Sequence, residues 1–191
     1  MNFYFKTLEK GLWKDFVAYF EFKGSCSGCW CMNHRLPIGL DFEGEAAKLA
    51  MEQLVKTNRV FGVLAYVEGD DVPVGWASLD RRKTLPGHDC IGEDIQCSED
   101  EWSIHCITSR RDFKSKGVEE FLMKVTTGLA KDYNAAVVEA YPEPGSETTD
   151  SFKTWNTFSG TEKFLSELGY DKIKKDFGCC SKFYLPMKKE L

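Results

Sequence analysis

The sequence predicts an α/β fold, a mixed β-sheet covered by helices on both faces. Three observations carry that expectation. Residues 101–141 run strand, helix, strand, an order that asks for a parallel pair joined by a right-handed crossover. Residues 60–79 hold two apolar runs separated by the polar turn Glu68–Asp71, which reads as an antiparallel hairpin. Apolar residues recur at helical spacing over 11–22 and 44–58, so further helices are at hand to cover the sheet.

Taken in order, residues 11–22 place Trp13, Phe16, Val17 and Phe20 on one side of a helix. Residues 24–35, GSCSGCWCMNHR, read as a loop running into a short strand. Residues 44–58 carry Ala47, Ala50, Met51 and Leu54 on one helical face. VFGVLAYV (60–67) and VPVGWASL (72–79) are the hairpin strands. Residues 80–100 are polar and irregular, a long loop of the kind that is functional or mobile. EWSIHCIT (101–108) is strand-like, and 117–131 is the clearest helix, with Val118, Phe121, Leu122, Val125 and Leu129 as its apolar stripe. AAVVEAY (135–141) is a short buried strand, and 142–157 is a second loop. A short helix over 160–170 ends at Gly169, and strand-like pieces follow near 171–177 and 180–187. With no internal repeat or boundary in view, the expectation is a single domain over 1–191.

At 42% hydrophobic and 29% charged residues, the chain has an ordinary globular composition and enough apolar mass for its own core. The net charge of −5 excludes the strongly basic balance of a nucleic-acid binder. No apolar run approaches the length of a membrane span, so neither nucleic acid nor membrane is an expected partner, and the expected setting is cytoplasmic. Eight cysteines in a chain that is neither short nor visibly secreted point to reduced thiols, ligands or reactive sites before disulfides.

Chemistry concentrates in a few places. In Ile107–Glu120 a strand ends, a basic loop with one glycine follows, and a helix begins. A helix start leaves backbone N–H groups unsatisfied and slightly positive, which suits a phosphate, and Arg110, Arg111, Lys114 and Lys116 add charge. The bland alternative is a solvated basic turn. Cys26, Cys29, Cys31 and His34 have a spacing that could ligate zinc, but four ligands within nine residues are cramped. Pocket-lining thiols at Cys29 and Cys31, or small inert core cysteines, are the other readings, and no metal ligand is assigned. Cys179 and Cys180 read as structural. Arg81, Arg82 and Lys83 are a solvated triplet or an attractor for an acidic group. Trp155 and Phe158 are either an aromatic wall over an acceptor or loop packing.

The succession of elements around that loop resembles the GNAT superfamily of N-acetyltransferases. Lys114-Ser115-Lys116-Gly117-Val118-Glu119 matches the pyrophosphate-loop pattern Arg/Gln-x-x-Gly-x-Gly/Ala, and Leu168-Gly169-Tyr170 matches a Leu-Gly-Phe-like turn after the late helix. Gly28-Cys29-Trp30-Cys31-Met32, Val74-Gly75-Trp76, Trp102-Ser103-x-x-Cys106 and Val138-Glu139-Ala140-Tyr141-Pro142 resemble a bacterial branch of it. The pattern is broken at Lys114, at Glu119 where Gly or Ala is usual, and at Leu165 where a proton-donating Tyr often stands.

The resemblance implies a mostly antiparallel sheet of six or seven strands and an acetyl-CoA co-substrate. It implies direct acetyl transfer to the amine of a small molecule or peptide, with the oxyanion held by backbone N–H groups. The pantetheine arm would run beside Cys106, Ile107 and Thr108, and the pyrophosphate would meet the N–H groups of residues 115–119. Glu139 is the first candidate base; its alternative is a strand-end carboxylate paired with a Lys or Arg. His105 is the second because imidazole titrates near neutrality. Strand alternation sets it opposite Cys106, so only one of the two faces a given pocket, and Cys106 is preferred. Cys29, Cys31 and Trp155 are the substrate-binding candidates. A non-catalytic acyl-CoA-binding module and a cysteine-based metal or redox protein are the alternatives. Oligomeric state stays open, a homodimer being one option.

Overall fold

The computed structural model describes residues 1–22, 28–36, 43–85, 98–142, 161–173 and 187–191. Among these residues seven strands form one sheet: β1 (Phe3–Thr7), β2 (Gly62–Val67), β3 (Gly75–Arg81), β4 (Glu101–Ser109), β5 (Val137–Ala140), β6 (Asp171–Lys172) and β7 (Met187–Glu190). Their order across the sheet is β1-β2-β3-β4-β5-β7-β6. Every neighbouring pair is antiparallel except β4 and β5, which run parallel. The helices are α1 (Trp13–Glu21), α2 (Gly44–Lys56), α3 (Val118–Asp132) and α4 (Glu162–Glu167). The hairpin is β2–β3, and the parallel crossover is β4–α3–β5, as the sequence predicts.

Two apolar layers sandwich the sheet. On one face Val63, Ala65, Ala77, Leu79, Trp102, Ile104 and Ile107 pack with Val118, Leu122 and Met123 of α3 and Leu165 of α4. On the other, Leu64, Tyr66, Trp76 and Cys106 pack with Phe16, Tyr19 and Phe20 of α1 and Met51 and Val55 of α2. Phe16 is fully buried, with its ring 5.0 Å from Trp76 edge-on and 4.4 Å from Phe20. Each side chain sealed in this way contributes about 1.5–3 kcal/mol. The short helix α4 starts at Thr161, whose hydroxyl accepts from the Phe164 N–H, and ends before Gly169 at φ +83°.

Two expectations change. An N-terminal strand, β1, is present that the pattern did not announce. Tyr4 stacks on Tyr66 at 5.1 Å while Phe3 and Phe5 meet Phe121 on the opposite face, so both faces carry aromatics and the polar–apolar alternation is lost. No strand forms over residues 28–36. Trp30 and Cys31 adopt left-handed φ values of 47° and 61°, and a 3-10 turn follows at Asn33–Arg35. Side chains there do not alternate as in a strand, and Trp30, Cys31 and Met32 all enter the α1–α2 layer.

The register between β3 and β4 jumps at one point. Ser78 opposes Cys106, but Leu79 opposes Ile104, so His105 is an extra residue on β4, a β-bulge. The bulge resets the side-chain phase. Ile107 and Ile104 both reach the α3 layer, while Cys106 lies in the α1–α2 layer. Pairing of β4 with β5 covers Glu101–Ile104 against Val137–Ala140 and stops there.

Candidate active site

Beyond the bulge, residues 105–109 of β4 keep β3 as a neighbour, but among the described residues they have lost β5. A strand edge facing such a gap offers backbone donors and acceptors to an extended ligand. The edge leads to the start of α3. Gly117 is the N-cap residue at φ +86°, and no side chain caps the helix. The Phe121 N–H bonds back to the Gly117 carbonyl, so the first-turn N–H groups of Val118, Glu119 and Glu120 have no intrahelical acceptor. Val118 is buried against β3 because Gly75 has no side chain: a Cβ there would sit 2.5 Å from Val118 Cγ1 and 2.9 Å from Leu122 Cδ1.

The anomalous Glu119 turns inward. Only 4% exposed, it accepts from Ser109 Oγ and from Lys114 Nζ at 3.0 Å. Its charge is thereby matched inside the loop, and Lys114 is engaged by it. The Lys116 N–H donates to the Phe113 carbonyl at 3.2 Å, so that position of the expected N–H set is already used. Ser115 takes a left-handed φ of 60°. Arg110 grips Asp112 through two hydrogen bonds of 2.7 and 3.1 Å and lies 4.2 Å from the Phe22 ring at the end of α1.

A row of polar side chains crosses the α1–α2 face. Asp80 on β3 opposes Ser103 on β4, which opposes Glu139 on β5. Glu139 Oε2 accepts from the Tyr141 hydroxyl and lies 3.4 Å from Arg82 Nε. Burial pushes the Glu139 carboxyl above its ordinary value, against the pull of Tyr141 and Arg82. Burial likewise raises Tyr141 well above its ordinary value, so the phenol keeps its proton. Arg82 is 4% exposed, which removes it from the solvated triplet the sequence suggested.

His105 lies 1% exposed on the same face as this row. Its Nε2 is 3.8 Å from Asp80 Oδ2, and its ring meets the His34 ring edge-on at 5.4 Å. The bulge therefore overturns the expected opposition of His105 and Cys106. Asp80 is clamped by Arg35, which also donates to Ser78 Oγ at 2.9 Å. Burial raises the Asp80 carboxyl, and the Arg35 charge counters it.

Cys29, Cys31 and Cys106 are buried thiols. A hydrogen bond from Cys106, with the positive charge of Arg35, holds the Cys31 thiol below its ordinary value despite burial. The Trp76 indole N–H also donates to Cys31 Sγ at 3.4 Å. Among the described residues no group of three or more His, Cys, Asp or Glu could hold a metal ion, and none of their helices is long and apolar enough to cross a membrane. Cys26, Cys179, Cys180, Trp155 and Phe158 lie outside the described residues.

Sequence reasoning missed three participants. Tyr19 on α1 is fully buried and shares a 2.7 Å hydrogen bond with Thr108 Oγ1 on the open β4 edge. It sits beside the apolar stripe of α1, where its hydroxyl left no pattern to read. Tyr141 was visible only within the 138–142 stretch that resembles the bacterial branch, and Asp80 only as the first residue of the polar 80–100 loop.

No family model matches the sequence, and none of the curated proteins matches it. Solved structures do. The GNAT domain of PAT from S. lividans superposes with a TM-score of 0.60 at 12% identity, over 98% of this chain and 89% of that one. Ard1 from Thermoplasma volcanium gives 0.58 at 12% identity, over 100% and 99% of the two chains. For yncA from Salmonella typhimurium, solved with acetyl-CoA, the values are 0.55 and 11%, over 98% and 93%. With seven strands, one parallel pair and helices on both faces among its described residues, the chain has the fold of the GNAT N-acetyltransferases.

Proposed function

We propose that this protein is an acetyl-CoA-dependent N-acetyltransferase that acts on an amine of a small molecule or peptide, with acceptor and cofactor bound together. The observation that carries the reading is the β4 edge at 105–109, parted from β5 at the bulge and leading to the uncapped start of α3. The residues present fit the cofactor. The backbone of Cys106, Ile107 and Thr108 would hold its pantetheine arm, and the N–H groups of Ser115, Gly117, Val118 and Glu119 its pyrophosphate. Lys114 acts indirectly, keeping the Glu119 carboxylate turned away. Bound acetyl-CoA would supply an acyl group activated as a thioester.

The protein's part is proton handling and positioning. A protonated amine cannot attack, so Glu139 Oε takes its proton, and burial matches the carboxyl to that task. Tyr141 Oη, protonated and hydrogen-bonded to Glu139, holds the proton needed as the thiol forms; Leu165, fully buried in the α3–α4 layer, holds none. His105, 3.8 Å from Asp80 on the same sheet face, is the second proton-handling candidate. Trp155 remains the proposed acceptor wall and residues 1–191 the proposed single domain, with the cytoplasm as the setting.

Acetyl-CoA at a hundred times its dissociation constant should stabilise the protein by about 2.7 kcal/mol. For a chain of this size that is a rise of roughly 5–10 °C in Tm. Addition of a suitable amine should then release CoA thiol. No shift with millimolar acetyl-CoA would refute the reading. A shift with no thiol release across a broad amine panel would favour the second reading, a non-catalytic acyl-CoA-binding module, to which the missing Tyr at position 165 points.

A further inference from the structure

On the α1–α2 face, at the end of β3, lies a cavity of about 300 Å³ lined by Arg35, Asn58, Arg59, Asp80, Arg81 and Thr84, with Leu54 and Phe61 as its apolar wall. Three arginines and one aspartate line it, and Arg35 is the arginine that meets the aspartate directly. That aspartate is not available to a cation. Asp80 is 1% exposed and takes the Arg35 guanidinium, the Ser78 hydroxyl at 3.3 Å and the Phe61 N–H at 3.5 Å. Arg35 is itself nearly sealed, with a side chain 5% exposed. Its Nη2 is committed to Ser78 and Asp80, but among the described residues its Nε has no hydrogen-bond partner. A buried guanidinium with an unsatisfied donor is costly unless something completes it.

Further positive charge comes from the rim. Arg59 follows the C-terminus of α2 and is exposed. Arg81 adds charge only at longer range, since its guanidinium lies 5.4 Å over the Trp102 ring and pairs with the exposed Glu99 at 3.1 Å. Asn58 and Thr84 bring neutral polar groups to the wall. We propose that this cavity binds the carboxylate of the acceptor, and that the acceptor is an amine of amino-acid size bearing that carboxylate. A monoanion is favoured over a phosphate because Asp80 stands in the wall and repels a dianion about twice as strongly. The volume is at the low end for ligand pockets and suits a small molecule better than a protein segment.

The position of the cavity relative to the base supports the same class. Asp80, Ser103 and Glu139 are register partners on three adjacent strands, so the cavity floor lies two strand spacings, about 10 Å, from the base. An amino acid with an extended side chain, or a dipeptide, covers such a span between its carboxylate and a reactive amine. The amine half of this inference rests on the acetyltransferase reading; the carboxylate half rests on the cavity alone.

Calorimetry on the full chain tests it, with the twenty protein L-amino acids as probes and, for each one that binds, its decarboxylated amine. Each titration is run with and without saturating CoA. At least one amino acid should bind at least tenfold more tightly than its decarboxylated counterpart. Arg59→Ala should abolish most of that preference while leaving CoA affinity and Tm near wild type. Arg35→Lys, which keeps the charge but removes Nε, is the second variant and should weaken the same amino acid. If no amino acid binds at 10 mM, if the decarboxylated amine binds equally well, or if Arg59→Ala leaves the preference intact, the proposal is overturned. Amino-acid binding that persists in a protein showing no heat with CoA and no thiol release would sustain the cavity and overturn the acetyltransferase reading instead.

Discussion

Gly75→Ala is the most informative single change. The added Cβ would lie 2.5 Å from Val118 Cγ1, 2.9 Å from Leu122 Cδ1 and 3.2 Å from the Thr108 carbonyl oxygen. Val118 and Leu122 are fully buried, so neither can swing into solvent, and the N-terminal turn of α3 must lift off β3. Overpacking of this kind costs about 1–3 kcal/mol. At roughly 2–4 °C per kcal/mol for a chain of this length, the Tm should fall by about 2–12 °C. The same movement displaces the first-turn N–H groups from the β4 edge, so the thermal shift produced by acetyl-CoA should shrink as well. Gly117→Ala is the contrasting variant. Its Cβ meets nothing within 4 Å, and the loss comes only from φ +86°, about 1–2 kcal/mol. Val118→Ala should rescue Gly75→Ala, with the pair costing less than the sum, and should not rescue Gly117→Ala. Scanning calorimetry of wild type and the five variants reads this directly. A Gly75→Ala protein melting within about 1 °C of wild type, or independent of Val118→Ala, would refute the packing argument.

Other outcomes follow from the site. Glu139→Gln should lower kcat about 10²- to 10⁴-fold. Since burial raises the Glu139 pKa, wild-type activity should fall with decreasing pH at a higher pH than for an exposed glutamate, and the variant's residual activity should lack that limb. Truncating Arg35 or Asp80 alone strands a buried charge and should cost about 3–5 kcal/mol in urea unfolding, whereas removing both with apolar replacements should cost less than the sum; strict additivity would show that the two do not act as a pair. Cys31→Ala deprives the buried Trp76 indole of its acceptor and should cost about 1–3 kcal/mol, with a change in tryptophan fluorescence; an unaltered melt and spectrum would argue that the contact carries no weight.

Periodicity made most of the scaffold legible. The β2–β3 hairpin, the β4–α3–β5 crossover and helices α1, α2 and α4 emerge from spacing because each has a single dominant apolar face or run. β1 was hidden because aromatics occupy both of its faces. The span 28–36 was misread because Cys29 and Cys31 alternate on paper while their backbone turns through left-handed φ. The site was less legible than the fold. Loop chemistry and the glycine located the start of α3, but no local pattern announces a bulge, and the bulge decides where His105 faces. Glu139 could be singled out, yet its partner Arg82 lies 57 positions away in sequence and meets it only through the sheet. Tyr19 and Thr108 are likewise joined only by packing of α1 on β4.

The inward turn of Glu119 bears on how the loop would respond to ionic strength. Between Arg110 and Glu119 there are four basic and two acidic residues, and each acid is held by one of the bases, Asp112 by Arg110 and Glu119 by Lys114. At least two of the four positive charges are thus matched within the loop. Recognition then rests on short-range N–H geometry at the helix start, which salt screens weakly, more than on long-range attraction, which fades beyond a Debye length of about 8 Å at physiological salt. A GNAT-type loop rich in uncompensated arginine would capture its ligand faster in dilute buffer and lose it as salt rises. If the proposed cofactor binds here, the loop should trade that reach for an affinity that changes little with ionic strength.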